Sequence, residues 1–199
     1  MAKLIGNAPN QVPTNADLGK MAFEDKVSVA NINATGTKDA TTFLRGDNTF
    51  AGTNIPAFEV YRSTDQIITN LTATKVQFDT EVFDTDNVYD NATNYRFTPT
   101  VAGKYFVYSQ LEMIDTLGTY NLSQVNIDLR KNGSVIRNNQ MYFNALAYTH
   151  TASIYGSIDM NGTTDYLEIF VLTRHNSSND SKVRGANQAS FFGAYRIGA

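Results

Sequence analysis

The sequence predicts an all-β sandwich or jelly roll preceded by an extended, mostly irregular N-terminal arm. After Pro56 the chain reads as many short strands separated by Gly, Asn and Asp turns. No convincing amphipathic helix interrupts them. Before Pro56 apolar residues are sparse and isolated, too few for the segment to bury a core of its own. The boundaries that follow are an arm over residues 1–55 and a knob over residues 56–199.

In the arm Asn, Thr, Ala, Gly and Asp dominate, as in Asn7-Ala8-Pro9-Asn10-Gln11-Val12-Pro13-Thr14-Asn15. One helical turn is predicted over residues 17–23, capped by Asn15 or Asp17. The rest is either a flexible tail or an arm ordered against another surface. Fully extended, about 55 residues reach on the order of 180 Å at ~3.3 Å each. In the knob Val125, Ile127 and Leu129 alternate with Asn126, Asp128 and Arg130, the period of a half-buried strand. Lys131-Asn132-Gly133-Ser134 follows at once, and Asn-Gly between strands marks a hairpin. Further strands are predicted at 58–62, 75–78, 95–98, 104–114, 135–143, 149–159, 166–174 and 189–197.

Composition narrows the function classes. Among 199 residues, 42% are hydrophobic and 12% aromatic, which supports a real core and argues against wholesale disorder. A net charge of -3 gives no reason to expect a nucleic-acid partner, because phosphate binding needs clustered Lys and Arg. There is no cysteine, so disulfides and thiolate metal sites are excluded. Met1-Ala2-Lys3-Leu4-Ile5-Gly6 turns polar at Asn7, too soon for an export signal, and no apolar run approaches the ~20 residues of a membrane span. The expectation is a protein made in a cytoplasm and not inserted into a membrane, which leaves a cell by assembly or lysis.

Some strands are apolar on both faces. Leu167, Ile169 and Val171 form one row of their strand, while Tyr166, Phe170 and Leu172 form the other. Tyr105, Val107, Leu111 and Met113 face one way, and Phe106, Tyr108 and Ile114 the opposite way. A two-layer sandwich buries one face of each sheet, so the second row needs a cover. Packing against another subunit, or against loops and the arm, supplies it. Tyr105, Phe106, Tyr108, Tyr166, Phe170, Leu172 and Phe192 are the candidate interface residues.

The knob resembles the C1q branch of the C1q/TNF-like jelly-roll family. Pro56-Ala57-Phe58 resembles that family's opening strand. Phe78 and the run Val88-Tyr89-Asp90-Asn91-Ala92-Thr93-Asn94-Tyr95-Arg96-Phe97-Thr98-Pro99 resemble its central block. Val101-Ala102-Gly103-Lys104-Tyr105-Phe106-Val107-Tyr108-Ser109 is similar to its Pro-Gly-x-Tyr-x-Phe strand, with Ala102 where proline is usual. The strand 125–133, ending in Lys-Asn-Gly, and Ser190-Phe191-Phe192-Gly193-Ala194-Tyr195 fall in the same order. Thr163-Thr164-Asp165 departs from the usual Gly-Asp. The resemblance spans about 140 residues and implies a homotrimer meeting through aromatic strands near a threefold axis.

The arm has a resemblance of its own. Residues 10–23, Asn10-Gln11-Val12-Pro13 through Phe23, resemble segments of tail-fibre and other virion proteins of marine and cyanobacterial phages. Ala40-Thr41-Thr42-Phe43-Leu44-Arg45-Gly46-Asp47-Asn48-Thr49-Phe50 is similar to a joint before their C-terminal domains. Such segments imply trimeric connectors or anchors to other virion proteins, with Val12, Pro13, Leu18, Met21, Phe23, Phe43 and Leu44 as candidate anchoring residues. No coiled-coil heptad is present, so a long helical shaft is not expected.

Other motifs have two readings each. Asp79, Glu81, Asp84, Asp86 and Asp90 crowd into twelve residues of predicted loop. Such oxygen density suits Ca²⁺, which takes six to eight ligands, and some C1q-like trimers bind it. The spacing is not that of an EF-hand, and acidic turns are ordinary turn chemistry. Asp79, Asp84, Asp86 and Asp90 are the candidate metal ligands; no cofactor is otherwise expected. His150 and His175 lack a neighbouring nucleophile motif, and no Gly-rich phosphate loop is present, so no catalytic residue is assigned. Arg45-Gly46-Asp47 spells an integrin tripeptide but sits where a tight turn is expected. The sequons at Asn70, Asn161 and Asn176 read as Asn-rich turns. The 175–181 loop has the composition of an exposed tip, with His175, Asn176 and Asn179 as candidate host contacts, either to a glycan or to a surface protein.

These readings converge on a phage virion structural protein. It is either a fibre or tail tip in host attachment, or a head fibre or capsid decoration protein. A secreted C1q-like lectin lacks an export route, and a polysaccharide depolymerase lacks a defensible pair of carboxylates.

Overall fold

A computed structural model of the chain describes residues 34–39, 42–52, 55–177 and 179–198. The chain divides into two compact units, Met1–Asn54 and Ile55–Ala199. Of the first, the described part is a small hairpin. Strands β1 (Phe43–Leu44) and β2 (Phe50–Ala51) pair antiparallel. Between them Asn48 takes a left-handed φ of 62°, and its amide donates to the Arg45 carbonyl at 3.0 Å. The Asp47 carboxylate accepts from the Thr49 amide at 3.1 Å and the Thr49 hydroxyl at 2.6 Å. Arg45-Gly46-Asp47 is therefore spent on closing a turn. The predicted helical turn at residues 17–23 lies outside the described residues.

The second unit is built of strands β3 (Ala57–Tyr61), β4 (Gln66–Ile68), β5 (Thr74–Lys75), β6 (Thr80–Asp84), β7 (Tyr89–Asp90), β8 (Arg96–Phe97), β9 (Gly103–Asp115), β10 (Leu122–Lys131), β11 (Ser134–Ala147), β12 (Thr149–Met160), β13 (Leu167–His175), β14 (Ser181–Val183) and β15 (Phe191–Gly198). One sheet runs β12-β9-β15-β3-β6. In it β15 covers Lys104 to Gln110 of β9, whereas β14, carrying β4, covers Met113 to Asp115. The other sheet runs β11-β10-β13-β8-β7, with β5 also against β13. The chain passes from β9 to β10 and β11 in the opposite sheet, returns in β12, crosses again to β13, and ends in β15. That alternation is a jelly roll. The chain enters at Ile55, at the end where β9 begins, and the loops at 69–73, 116–121 and 176–180 close the far end.

Inward rows form the core. On β9 the row Tyr105, Val107, Leu111 and Met113 is the buried one, and on β10 Val125, Ile127 and Leu129 are buried as the alternation predicted. Phe58 organises the aromatic centre, stacked on Phe97 at 4.6 Å and Tyr89 at 5.1 Å and edge-on to Phe192 at 5.0 Å. Each such pair adds roughly 0.5–1.5 kcal/mol beyond area burial. The Asn-Gly hairpin forms as read: Asn132 and Gly133 take φ of 53° and 81°, and Lys131 pairs with Ser134. Both central residues are left-handed, the geometry a two-residue turn needs.

Asp165 explains how the departure at 163–165 is accommodated. Its carboxylate accepts from Asn132 Nδ2 at 2.8 Å and the Asn161 amide at 2.9 Å, and pairs with Lys131 at 2.8 Å. The stretch read as an acidic loop is different: β6 occupies Thr80–Asp84.

Candidate interaction surfaces

The outer face of the β12-β9-β15-β3-β6 sheet carries aromatic side chains in register. Directly opposed residues share a face, so Tyr155, Tyr108, Gly193, Glu59 and Phe83 form one row, and Ser157, Phe106, Tyr195 and Ala57 the next. Phe106 lies 5.6 Å from Tyr195 and 6.3 Å from Tyr108, and Tyr108 lies 6.2 Å from Phe191. Tyr155 is 68% exposed and Tyr195 44%. Tyr108 crosses Gly193 to donate its hydroxyl to Glu59 at 2.7 Å. A Cβ on Gly193 would stand 2.5 Å from the Tyr108 ring, so the glycine makes this crossing possible. Burial, then the Glu59 hydrogen bond, pushes the Tyr108 phenol up, keeping it a donor.

The seven interface candidates separate into three places. Phe106 and Tyr108 lie on the aromatic face. Tyr105 and Phe192 do not: both are fully buried in the chain's own core, because each belongs to the inward row of its strand, and they offer no surface to a second subunit. Tyr166, Phe170 and Leu172 lie on the outer face of the other sheet. There Arg130 stacks 3.9 Å over the Phe170 ring with Lys75 at 5.8 Å, and Arg96 lies 4.5 Å over Tyr166. Lys75 is paired with Glu168, and Arg130 with Asp128 at 3.3 Å. Cations of the same chain thus cover these two rings. Tyr155, Phe191, Tyr195 and Phe83 were missed; alternation along β15 separates Phe191, Gly193 and Tyr195 from the buried Phe192 and Ala194 and could have found two of them.

The far end differs from its sequence reading in one respect. His175 is 5% exposed, on the inward row of β13, so it makes no host contact. Neither ring nitrogen has a hydrogen-bond partner among the described residues, and burial lowers its pKa against the pull of Asp115 and Asp180. Asn176 is exposed and Asn179 half-buried. Asn70 laces the loops together: its Oδ1 accepts from the His175 amide at 2.9 Å, and its own amide donates to Asp180 at 3.0 Å. Buried Asp115 accepts from the amides of Leu117 at 2.9 Å and Asn121 at 3.0 Å. His150 lies against Phe143, ring centroids 4.8 Å apart.

The four candidate metal ligands do not converge. Among the described residues no three His, Asp or Glu side chains gather as a metal site. Asp79 binds Arg62 at 2.6 Å and the Ser63 amide at 2.8 Å. Asp84 accepts from the Tyr89 amide at 2.8 Å. Asp90 closes its own turn through the Thr93 amide at 2.8 Å and Asn94 Nδ2 at 2.6 Å; the Thr93 bond, opposed by desolvation, leads in holding its pKa at about 2. Asp86 is exposed beyond β6, whose pleat turns successive side chains to opposite faces. Of the anchoring candidates, Phe43 and Leu44 are 61% and 48% exposed on β1. Val12, Pro13, Leu18, Met21 and Phe23 lie outside the described residues.

No family model matches the chain, and no curated protein matches its sequence. The structure is nevertheless similar to that of murine APRIL in its pH 5.0 crystal, with a TM-score of 0.50 and 13% identity over 72% of this chain and 100% of that one. It is also similar to Eiger TNF from S. frugiperda, with a TM-score of 0.48 and 10% identity over 72% and 91% of the two chains. At 13% identity the likeness to APRIL is one of fold, and with the strand order it makes the second unit a C1q/TNF-like jelly roll.

Proposed function

We propose that this chain is a phage virion structural protein, whose C1q/TNF-like knob associates as a homotrimer and whose residues 1–55 attach it to other virion proteins. In this reading it is non-catalytic and serves as a fibre or tail tip in host attachment. The carrying observation is the aromatic outer face, where Tyr155 and Tyr195 stand exposed beside the half-buried Phe106 and Tyr108, with no cation among the described residues over them, unlike Phe170 and Tyr166 on the opposite face. An exposed patch of this kind marks an interface. The exposed Phe43 and Leu44 of the N-terminal hairpin, inside the segment resembling virion connectors, support attachment there.

Sedimentation of the purified chain at micromolar concentration tests the assembly, and a trimer is expected; a stable monomer refutes it. Gold-labelled antibody on the phage that encodes the chain tests the role. A few copies at the tail fit the attachment reading. Many copies over the head favour decoration.

A further inference from the structure

Beyond the aromatic patch, towards the far end of the same sheet, the outer face opens into a polar hollow of about 390 Å³, within the ~300–1,000 Å³ range of small-ligand sites. It forms where β14 runs against β9. Two ion pairs line it, Lys182 with Asp65 at 2.6 Å and Arg184 with Glu112 at 2.9 Å. Asp65 also accepts from the Gly185 amide at 3.0 Å, and these bonds, the Lys182 one first, hold its carboxyl below the usual range. Thr149 contributes a hydroxyl oxygen as an acceptor, its proton going to the Met113 carbonyl at 3.1 Å or to Glu112 at 3.4 Å, and Tyr148, 41% exposed, stands at the rim. The Tyr148 ring is 5.8 Å from that of Tyr120, at an interplanar angle of 48°.

The charges of the hollow identify its ligand class. Two cations and two anions cancel at close range, so neither a phosphate nor an ammonium group gains from the net field. An ammonium carries three donors and a guanidinium five, and a carboxylate has about four acceptor sites; the contacts above use only part of them. Donors and acceptors thus alternate over a few ångströms beside an exposed aromatic ring. Vicinal hydroxyls bind such alternating partners bidentately, while the apolar C–H face of a sugar ring lies on the aromatic ring. We propose that this hollow binds a neutral saccharide, with Tyr148 as the stacking platform and the Lys182–Asp65 and Arg184–Glu112 pairs as the hydroxyl-binding wall. The proposal deepens the host-attachment reading and rests on it for its biological purpose.

The test uses the full chain in its own oligomeric state on an array of neutral hexose oligosaccharides, with sulfated and sialylated oligosaccharides alongside. Binding to neutral members, unchanged by added salt, is expected. Tyr148→Ala should weaken it about tenfold, the worth of one aromatic contact, and Glu112→Gln, which keeps shape while removing charge, should weaken it as well. A blank neutral set, salt-sensitive binding confined to the charged members, or full binding by Tyr148→Ala overturns the proposal. If the array is blank while an antibody against the knob still blocks phage adsorption, the saccharide site fails and the attachment reading stands. If neutral saccharides bind while the antibody leaves adsorption intact, the site stands and the attachment reading fails.

Discussion

Gly193 and His175 are the residues whose roles depend most on their surroundings. At Gly193 a methyl group would meet the Tyr108 ring at 2.5 Å and force it off Glu59. Gly193→Ala should therefore cost about 1–3 kcal/mol, as overpacking does, measured by urea unfolding; in a Tyr108→Ala background the cost should vanish. At His175 burial lowers the pKa, so the native ring is neutral whereas the unfolded chain takes up a proton near pH ~6.5. The unfolded state then binds more protons, and stability present above that value is lost as pH falls below it. His150 is lowered by burial too and acts with the same sign. The test is therefore the difference between the native chain and His175→Phe in urea midpoint at about pH 7.5 and about pH 5, where the variant should lose less. Equal losses would remove His175 from the account.

Single strands and turns show why local patterns succeed in some places and mislead in others. The β10–β11 hairpin rests on Asn132 and Gly133, both at positive φ. A side chain at Gly133 brings the left-handed penalty of ~1–2 kcal/mol, and Gly133→Val should lower stability by that amount in thermal unfolding. β6 has the opposite character: its Thr-Glu-Val-Phe-Asp run is short, and pairing with β3 makes it a strand. The acidic side chains of the 79–90 stretch are engaged separately, Asp79 by Arg62 and the Ser63 amide, Asp84 by the Tyr89 amide and Asp90 by its own turn, which disposes of the cation cage. On β13 the outer row reads as greasy because cross-strand neighbours are invisible in a linear chain. Arg130 and Lys75 reach Phe170 from β10 and β5.

The two outer faces of the sandwich therefore differ in kind. One is aromatic and open, whereas on the other Phe170 and Tyr166 are covered by guanidinium and ammonium groups. If the open face drives association, Phe106→Asp should convert the trimer to monomers with the far-ultraviolet dichroism kept. Phe170→Asp should leave the sedimentation coefficient unchanged. The reverse pattern would move the interface to the other sheet. The far end is a separate case, because its loops are laced by Asn70 and Asp115 into one surface with the polar hollow alongside.

Period-two alternation, the Asn-Gly turn and the shortage of apolar residues before Pro56 carry the fold class, because each is a property of neighbouring residues. They identify the two rows of β9, the inward row of β10 and the hairpin between β10 and β11. The short strands β4, β7 and β14 escape because two or three residues hold no periodic signal and exist through their pairing. Which apolar row faces inward, whether Phe170 is bare or capped, whether five acids meet, and whether His175 is wet or buried all depend on atoms brought from distant strands. Tertiary structure decides these, since burial and electrostatics depend on distance in space, and the linear chain carries only distance along itself.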